Sequence, residues 1–434
     1  MFRKSCLRIF TLRKLLIVSL FSPLIINGQD TLTLMHYNIL NYGGYNSYCT
    51  ELNNSTAFKN IQLRKIIPFV MPDILTVNEI VPENTTVQML LDSVLNTNGI
   101  IHYKKTDLTN VAGSSIVNML FYNSDKIAVK SQYPITNSVR DINVYNLYYL
   151  SPELVIGDTV FFKYIVMHLK AGNTASDASE RAMMTATLML HLSSLGYTGN
   201  TFVSGDFNVY TSSEGCFQNL INYANTSVRF YDPINQIGDW NNNATFASVH
   251  TQSTHTNSNG CISSGGMDDR FDYIMASSSI MNGYYGIQYI PDSYNALGQD
   301  GLRFNQNINN PTNTVVPPDI ADALYNNSDH LPIYMKVFIR HDQSGLSSEN
   351  KLNNIKVVSP AQGKIDVNLL LDKPNYYTFK LINLLGELIF SKQFYFKEGN
   401  NTLEIPIDNI NKGMFVLQLS DLQGRFFAQK IILL

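Results

Sequence analysis

Between Thr201 and Tyr210 the chain reads TFVSGDFNVY. The apolar pair Phe202-Val203 gives way to Ser204-Gly205, and a carboxylate and a carboxamide follow two residues apart, at Asp206 and Asn208. This is the pattern of a buried strand that ends in a reactive loop. On an extended backbone, residues i and i+2 share a face, so the two side chains are expected to point the same way. An acid beside an amide suits phosphate chemistry: the acid orients or deprotonates a water, and the amide donates to a phosphoryl oxygen. Asp and Asn also fill ordinary turns, so the weight of the pattern comes from its company. HYNILNYG (36–43), VNEI (77–80), MHLKAG (167–172), DDRFDYI (268–274) and SDHLP (328–332) also occur, each with polar groups beside an apolar run. Sites in α/β proteins assemble at strand ends, so these distant motifs are expected to converge.

The 434 residues suffice for two or three domains. Arg3, Lys4, Arg8, Arg13 and Lys14 precede an apolar run from Leu15 to Ile26, and Asn27-Gly28-Gln29 offers small and polar residues for cleavage. Residues 1–29 therefore read as a secretory signal peptide, too short for a comfortable membrane span. Removing them takes away five basic residues and no acidic one, shifting the formal charge from −3 to −8. The basic footprint of tight nucleic-acid binders is absent. An enzyme that reaches phosphodiesters through a bound metal does not need one. Cys49, Cys216 and Cys261 remain, enough for one disulfide and one free thiol, with the pairing left open. No pair has the CxxC spacing of structural zinc.

Strands are expected at 31–37, 74–77, 115–122, 127–131, 142–149, 160–167, 201–208, 271–276 and 331–339. Helices are expected at 58–70, at 85–95 with Asn84 as cap, at 175–195 with Met183, Leu188, Leu190 and Leu192 available for packing, and at 213–224. Residues 238–266 and 291–327 read as long loops rich in Asn, Ser and Pro. The domain division is 1–29 leader, 30–340 catalytic domain, 341–354 polar linker, and 355–434 a small all-β sandwich punctuated by Gly386, Gly399, Gly413 and Gly424.

Asn38, Glu79, His168, Asp206, Asn208, Asp272, Asp329 and His330 form the candidate set. Oxygen-rich donors of this kind suit Mg²⁺, with Mn²⁺ and Ca²⁺ as alternatives. A metal, a carboxylate and an imidazole together can split a phosphodiester. In order and spacing these motifs resemble the DNase I-like endonuclease/exonuclease/phosphatase superfamily over residues 30–340. The resemblance implies a four-layer α/β sandwich. It implies Glu79 as main metal ligand with Asn38 beside it, and Asp206 orienting or deprotonating the attacking water. Asn208 would contact the scissile phosphate, and His330, held by Asp272, would stabilise or protonate the phosphoryl group. Asp329 would assist the metal or the second catalytic group, and His168 would be the second imidazole. Some relatives carry an Asp two residues after the first Asn; here Leu40 stands there, which removes that ligand.

Arg270 is a further candidate for phosphate binding, against a salt bridge to Asp268 or Asp269. His250 and His255 read as loop histidines, Arg181 as a brace of its helix, Lys170 as solvated, and Tyr145, Tyr148 and Tyr149 as packing residues rather than base-stacking ones. At the C-terminus, residues 384–387, 411–416 and 430–432 resemble the type A sorting domain of the type IX secretion system, which implies that machinery as partner. The combined expectation is a secreted, monomeric, metal-dependent phosphodiesterase without membrane insertion, acting as an extracellular nuclease on DNA or RNA. A sphingomyelinase-like phospholipase C is the rival within the fold, and a non-catalytic secreted binding protein the rival outside it.

Overall fold

The computed structural model describes residues 29–434 apart from 152–153, 155–158, 197–198, 341–354, 362–363, 372, 384–386, 407–409, 411, 422–425 and 434. The expected leader, but for Gln29, and the expected linker lie outside the described residues. The first part of the chain runs β1 (Gln29–Tyr42), α1 (Thr56–Val70), β2 (Ile74–Ile80), α2 (Asn84–Leu90), β3 (Tyr103–Lys105), β4 (Val117–Asn123), β5 (Ile127–Ile135), β6 (Ile142–Tyr149) and β7 (Phe161–His168). It continues through α3 (Ala175–Ser194), β8 (Thr201–Asp206), α4 (Gly215–Ile221), β9 (Phe230–Tyr231), β10 (Asp272–Ser277), α5 (Ser278–Met281), β11 (Ile287–Tyr289), β12 (Asn295–Ala296), α6 (Pro318–Asn327) and β13 (Ile333–Arg340).

Two mixed sheets result. One has the order β11-β13-β1-β2-β4-β3, with β12 beside β13; the other has the order β5-β6-β7-β8-β10-β9. At the centre of each, one pair is parallel: β1 with β2, and β7 with β8. Side chains alternate across these strands with period two. Leu32 and Leu34 of β1 enter a core shared with Phe162, Tyr164 and Phe202 of the other sheet. Met35 and Tyr37, one residue out of phase, pack beneath α1 and α6. Ile165 and Val203 face a third core, under α3 and α4. Three cores in register make four layers, helix on sheet on sheet on helix. Each fully buried Leu or Phe contributes about 2 kcal/mol, whereas an exposed ion pair such as Lys170–Asp177 contributes little. The cores therefore hold the layers together.

Local sequence sets several elements. Helix α3 opens on a reciprocal capping box between Thr174 and Asp177. It buries Arg181, Met184, Leu188 and Leu192, an i, i+3, i+7, i+11 stripe. The expected packing face is corrected in part, since Met183 and Leu190 point to solvent. Asn84 is not a cap but the first residue of α2, which passes into a single π-helical turn at Leu91–Leu95. The expected loop at 291–327 ends in α6, where Pro318 provides a favourable first turn and Ile320, Ala321, Ala323 and Leu324 are buried. Cys49 and Cys261 form the disulfide, 212 residues apart in sequence, and Cys216 is a buried free thiol. Closing so long a loop contributes roughly 5 kcal/mol in the chain-entropy account.

Beyond Arg340 every described element is a strand: β14 (Ile355–Ala361), β15 (Lys364–Leu371), β16 (Asn375–Asn383), β17 (Leu388–Phe396), β18 (Gly399–Pro406), β19 (Gly413–Asp421) and β20 (Phe426–Leu433). They form antiparallel sheets β14-β15-β18 and β17-β16-β19-β20. Alternate residues of both sheets, among them Ile365, Val367, Phe379 and Leu417, meet in one core.

Candidate active site

The space between the two sheets changes character along the strands. On β1 the inward residues run Leu32, Leu34, His36, Asn38; on β2 they run Ile74, Thr76, Asn78; on β8, Phe202, Ser204, Asp206. Each strand is apolar where it enters the core and polar where it leaves. The polar ends coincide because the parallel pairs place them at one level: Asn38 pairs with Asn78, His168 with Asp206, and Asp206 with Asp272 across β10. Gly205 lies between. A Cβ there would sit 1.7 Å from the Met167 carbonyl oxygen, so only glycine lets β7 and β8 approach this closely.

Glu79 has the wrong parity for this face and reaches it through backbone strain. A register shift between Val77 and Ile80 and a φ of 64° at Glu79 turn its carboxylate toward the others. Leu40 and Asn41 are likewise at φ 43° and 44°. Asn41 N donates to Glu79 Oε2 at 3.1 Å, and Asn38 Nδ2 donates to Glu79 Oε1 at 3.1 Å and to Asp206 Oδ2 at 3.0 Å. His168 Nε2 lies 3.9 Å from Glu79 Oε1 and 3.5 Å from Asp206 Oδ2. One ligand atom each from Glu79, His168 and Asp206 falls within a 4.8 Å span, which fits a divalent cation.

Opposite this trio stands His330. Its Nδ1 is 2.8 Å from Asp272 Oδ2, which also accepts from Thr251 Oγ1 at 2.6 Å. Its Nε2 faces Asp206 Oδ2 at 3.6 Å, with the Gln252 amide 2.7 Å away. Burial works against the imidazolium, but the Asp272 and Asp206 carboxylates overcome it and hold His330 well above the usual histidine range. Burial raises Asp206 to about 7, His330 pulling it down and Asp272 and Glu79 adding to the rise. His168 is pushed well below the ordinary value, first by burial, then by the neighbouring Arg140, His330 and His36. Two imidazoles that both face Asp206 Oδ2 thus carry opposite protonation preferences, as an acid and a ligand would.

Other candidates are placed differently. Strand β8 ends at Asp206, and Asn208, at φ 50°, directs its amide to Leu169 O at 3.3 Å rather than alongside Asp206. Asp329 is turned toward Ser263 N, 2.8 Å from its Oδ2, and stands apart from the trio of donors. Arg270 does not face the site. Its guanidinium is buried against Tyr273 and forms a two-pronged pair with Asp232 at 2.8 Å, so its charge is paired there, with neither Asp268 nor Asp269. The readings of Arg181 as a brace and Tyr145 as core agree with their surroundings: Arg181 binds Glu214 and the carbonyls of Lys170 and Gly172, and Tyr145 is fully buried. Sequence reasoning missed His36, Asn78, Arg140, Thr251 and Gln252. For His36 the signal was present, two residues before Asn38 on the same strand face. Gln252 stands between His250 and His255 as an ordinary polar loop residue, with nothing local to mark it.

Those two histidines lie in loops, as expected, and both are buried. His250 meets the carbonyls of Trp240 and Met267, and His255 stacks on Tyr325 at 3.8 Å between centroids. Burial depresses His255 to about 4, with the Asp329 carboxylate pulling it back up. The unfolded chain, with an ordinary value near 6.5, therefore binds more protons between pH 6.5 and 4. Stability is present above that window and is lost on acidification, by up to about 3 kcal/mol for this group. His255→Gln is expected to flatten the decline of unfolding free energy across pH 6.5–4.5 relative to the parent, as read by urea titrations. Parallel curves would exclude this origin.

The rim of the site is tied together. The disulfide joins the 43–53 loop to the 256–263 loop, and Asn53 Nδ2 donates to Asn259 O at 3.1 Å while Asn259 Nδ2 donates to Asn53 O at 3.0 Å. Tyr48 and Leu52 on the first loop are 72% and 99% exposed.

Residues 359–434 match the family described as secretion system C-terminal sorting domain. No curated protein sequence matches the chain. Among solved structures it is similar to the catalytic domain of human nocturnin with bound sulfate, at 15% identity over 71% of this chain and 97% of that one, TM-score 0.43. It is similar to D. rerio TDP2 complexed with a single-strand DNA product, at 14% identity over 71% and 98%, TM-score 0.44. A third is an endonuclease/exonuclease/phosphatase from Bacteroides vulgatus, at 13% identity over 72% and 100%, TM-score 0.45.

Proposed function

We propose that residues 30–340 form a secreted, metal-dependent phosphodiesterase, an extracellular nuclease, and that residues 355–434 direct its export through the type IX machinery. The observation that carries the first part is the pairing of the Glu79–His168–Asp206 donors with the Asp272-held His330 across a gap of a few ångströms. Glu79, with Asn38 beside it, would hold a divalent cation, Mg²⁺ by the number of oxygen donors in the wider cluster. The bound cation supplies charge neutralisation at the phosphoryl oxygens. Asp206, raised to about 7, accepts a proton from the attacking water near neutral pH. His330, kept cationic by Asp272, donates to a non-bridging phosphoryl oxygen as negative charge accumulates there. The match of residues 359–434 supports export to the cell surface or beyond, and among the described residues no helix is long and apolar enough to cross a membrane.

A phospholipase C reading has one observation in its favour, the exposed Tyr48 and Leu52 on the stapled rim. The facing loop, TNSNGCISSGG at 256–266, is polar and uncharged, which favours a soluble polymer. The two are separated by incubating the full chain with supercoiled plasmid, single-stranded RNA and sphingomyelin vesicles, each with Mg²⁺ and with EDTA. Nicking and smearing of nucleic acid that EDTA abolishes is the expected result. Choline phosphate release without nicking would replace the nuclease reading by the lipid one, and inertness toward all three would overturn both.

A further inference from the structure

Two parts of the site, the 38–41 segment that serves Glu79 and the 328–330 segment, are distant in sequence and are both tied to one buried amine. Lys59 lies on the inward stripe of α1 with Leu63, Ile66 and Ile67, at the end nearest the site, and is only 2% exposed. A lysine so deeply buried is rare unless its donors are used. Here Nζ donates to Asn54 Oδ1 at 2.9 Å and to the main-chain carbonyl of Asn327. The Asn54 amide in turn donates to the carbonyls of Leu40 and Asn41, each at 3.2 Å. These are the two left-handed residues whose conformation brings Asn41 N to the Glu79 carboxylate. On the other side, Asn327 O is the last carbonyl of α6, directly before Ser328-Asp329-His330, and Ser328 Oγ donates back to Asn38 O at 2.7 Å.

We infer that Lys59 is a positioning residue for the reaction, setting the Glu79 carboxylate through Asn54 and the His330 segment through Asn327. It touches neither substrate nor cation. The inference rests on the phosphodiesterase reading for its catalytic consequence, but its structural content does not. Strained residues at 40, 41 and 79 persist only when their surroundings over-determine them, and Asn54 donates to the carbonyls of the first two. Without Nζ the Asn54 carbonyl loses its donor, and the free C-terminal carbonyl of α6 loses its cap.

The test uses the full chain with Lys59→Met, Lys59→Arg and Asn54→Ala. Readouts are amide exchange of segments 38–44 and 325–331 in metal-free protein, Mn²⁺ binding by calorimetry, and kinetics on bis(p-nitrophenyl) phosphate. In Lys59→Met both segments are expected to exchange about tenfold faster, Mn²⁺ affinity to fall about tenfold, and kcat to fall about 10–100-fold with KM within about twofold. Lys59→Arg should recover part of each. Asn54→Ala severs one arm only, so exchange should rise in 38–44 and not in 325–331, with Mn²⁺ affinity reduced as before. Exchange changes confined to α1, or an Asn54→Ala protein with parental exchange at 38–44 and parental Mn²⁺ affinity, would overturn the inference, including when Lys59→Met does not fold. A parent that hydrolyses no diester removes the phosphodiesterase reading, while the exchange and Mn²⁺ results still decide the role of Lys59.

Discussion

Asp206→Asn is expected to lower turnover of bis(p-nitrophenyl) phosphate at saturating Mg²⁺ by about three orders of magnitude or more, while the metal-free protein becomes no less stable at pH 8. The first part follows from losing the proton acceptor and one anionic donor of the trio at once. The second follows from the carboxylate's surroundings. Burial, with Asp272 and Glu79 nearby, raises Asp206 to about 7 against the pull of His330. The folded state then binds more protons than the unfolded chain between pH 4 and 7. Its stability contribution is present at the acid end and is lost as pH rises through 7, by an amount on the order of a few kcal/mol. Asparagine has no such proton, so melting curves of the variant should lose less on going from pH 5 to pH 8 than those of the parent. Residual activity within tenfold of the parent, or an identical pH dependence of melting, would remove Asp206 from the role assigned to it. A site residue whose removal stabilises the fold marks a position kept for chemistry, since packing alone would favour its replacement.

Asp272→Asn is the second large effect. The substitution preserves a hydrogen-bonding oxygen for His330 Nδ1 and for Thr251 Oγ1, but removes the charge. Burial then prevails over the remaining Asp206 attraction, and the His330 imidazolium gives up its proton at lower pH than in the parent. A drop in kcat of about 10²–10⁴ at pH 8 is expected, the size of a general-acid contribution. Because the deficit comes from deprotonation, the ratio of variant to parent rate should improve as pH falls from 8.5 to 5.5. A ratio that stays flat over that range would show that Asp272 acts through geometry alone.

Much of this was legible in the primary structure, and unevenly so. Strand alternation in TLTLMHYN and VFFKYIVMH identifies which residues face the inter-sheet core, because the pleat fixes side-chain direction at every second position. The polar ends of those same strands give Asn38, His168 and Asp206. Glu79 was found by its motif, but its reach depends on a bulge and a positive φ that no period predicts. Arg270 misled because an arginine next to acidic residues in sequence suggests a local pair or a ligand, whereas its partner, Asp232, is 38 residues away. The support residues Thr251, Gln252 and Arg140 were invisible for the same reason: each acts on a group far along the chain, and none stands in an unusual local pattern. On α3 Leu188 and Leu192 are buried as expected, whereas Met183 and Leu190 stand off the stripe that runs through Arg181, Met184, Leu188 and Leu192, which the helical period selects.

Local chemistry determines the strands, the capped α3, the apolar-to-polar gradient within each inward face and the change to short alternating strands after residue 354. These depend on interactions among residues a few positions apart, where backbone geometry leaves few choices. The pairing of Cys49 with Cys261, the capture of Arg270 by Asp232, the opposite protonation preferences of His168 and His330 and the position of Lys59 between two parts of the site were decided by tertiary structure alone. Each is a matter of which charges and donors share a water-poor volume, and that depends on distances between residues up to 270 or so positions apart, as with Lys59 and Asn327.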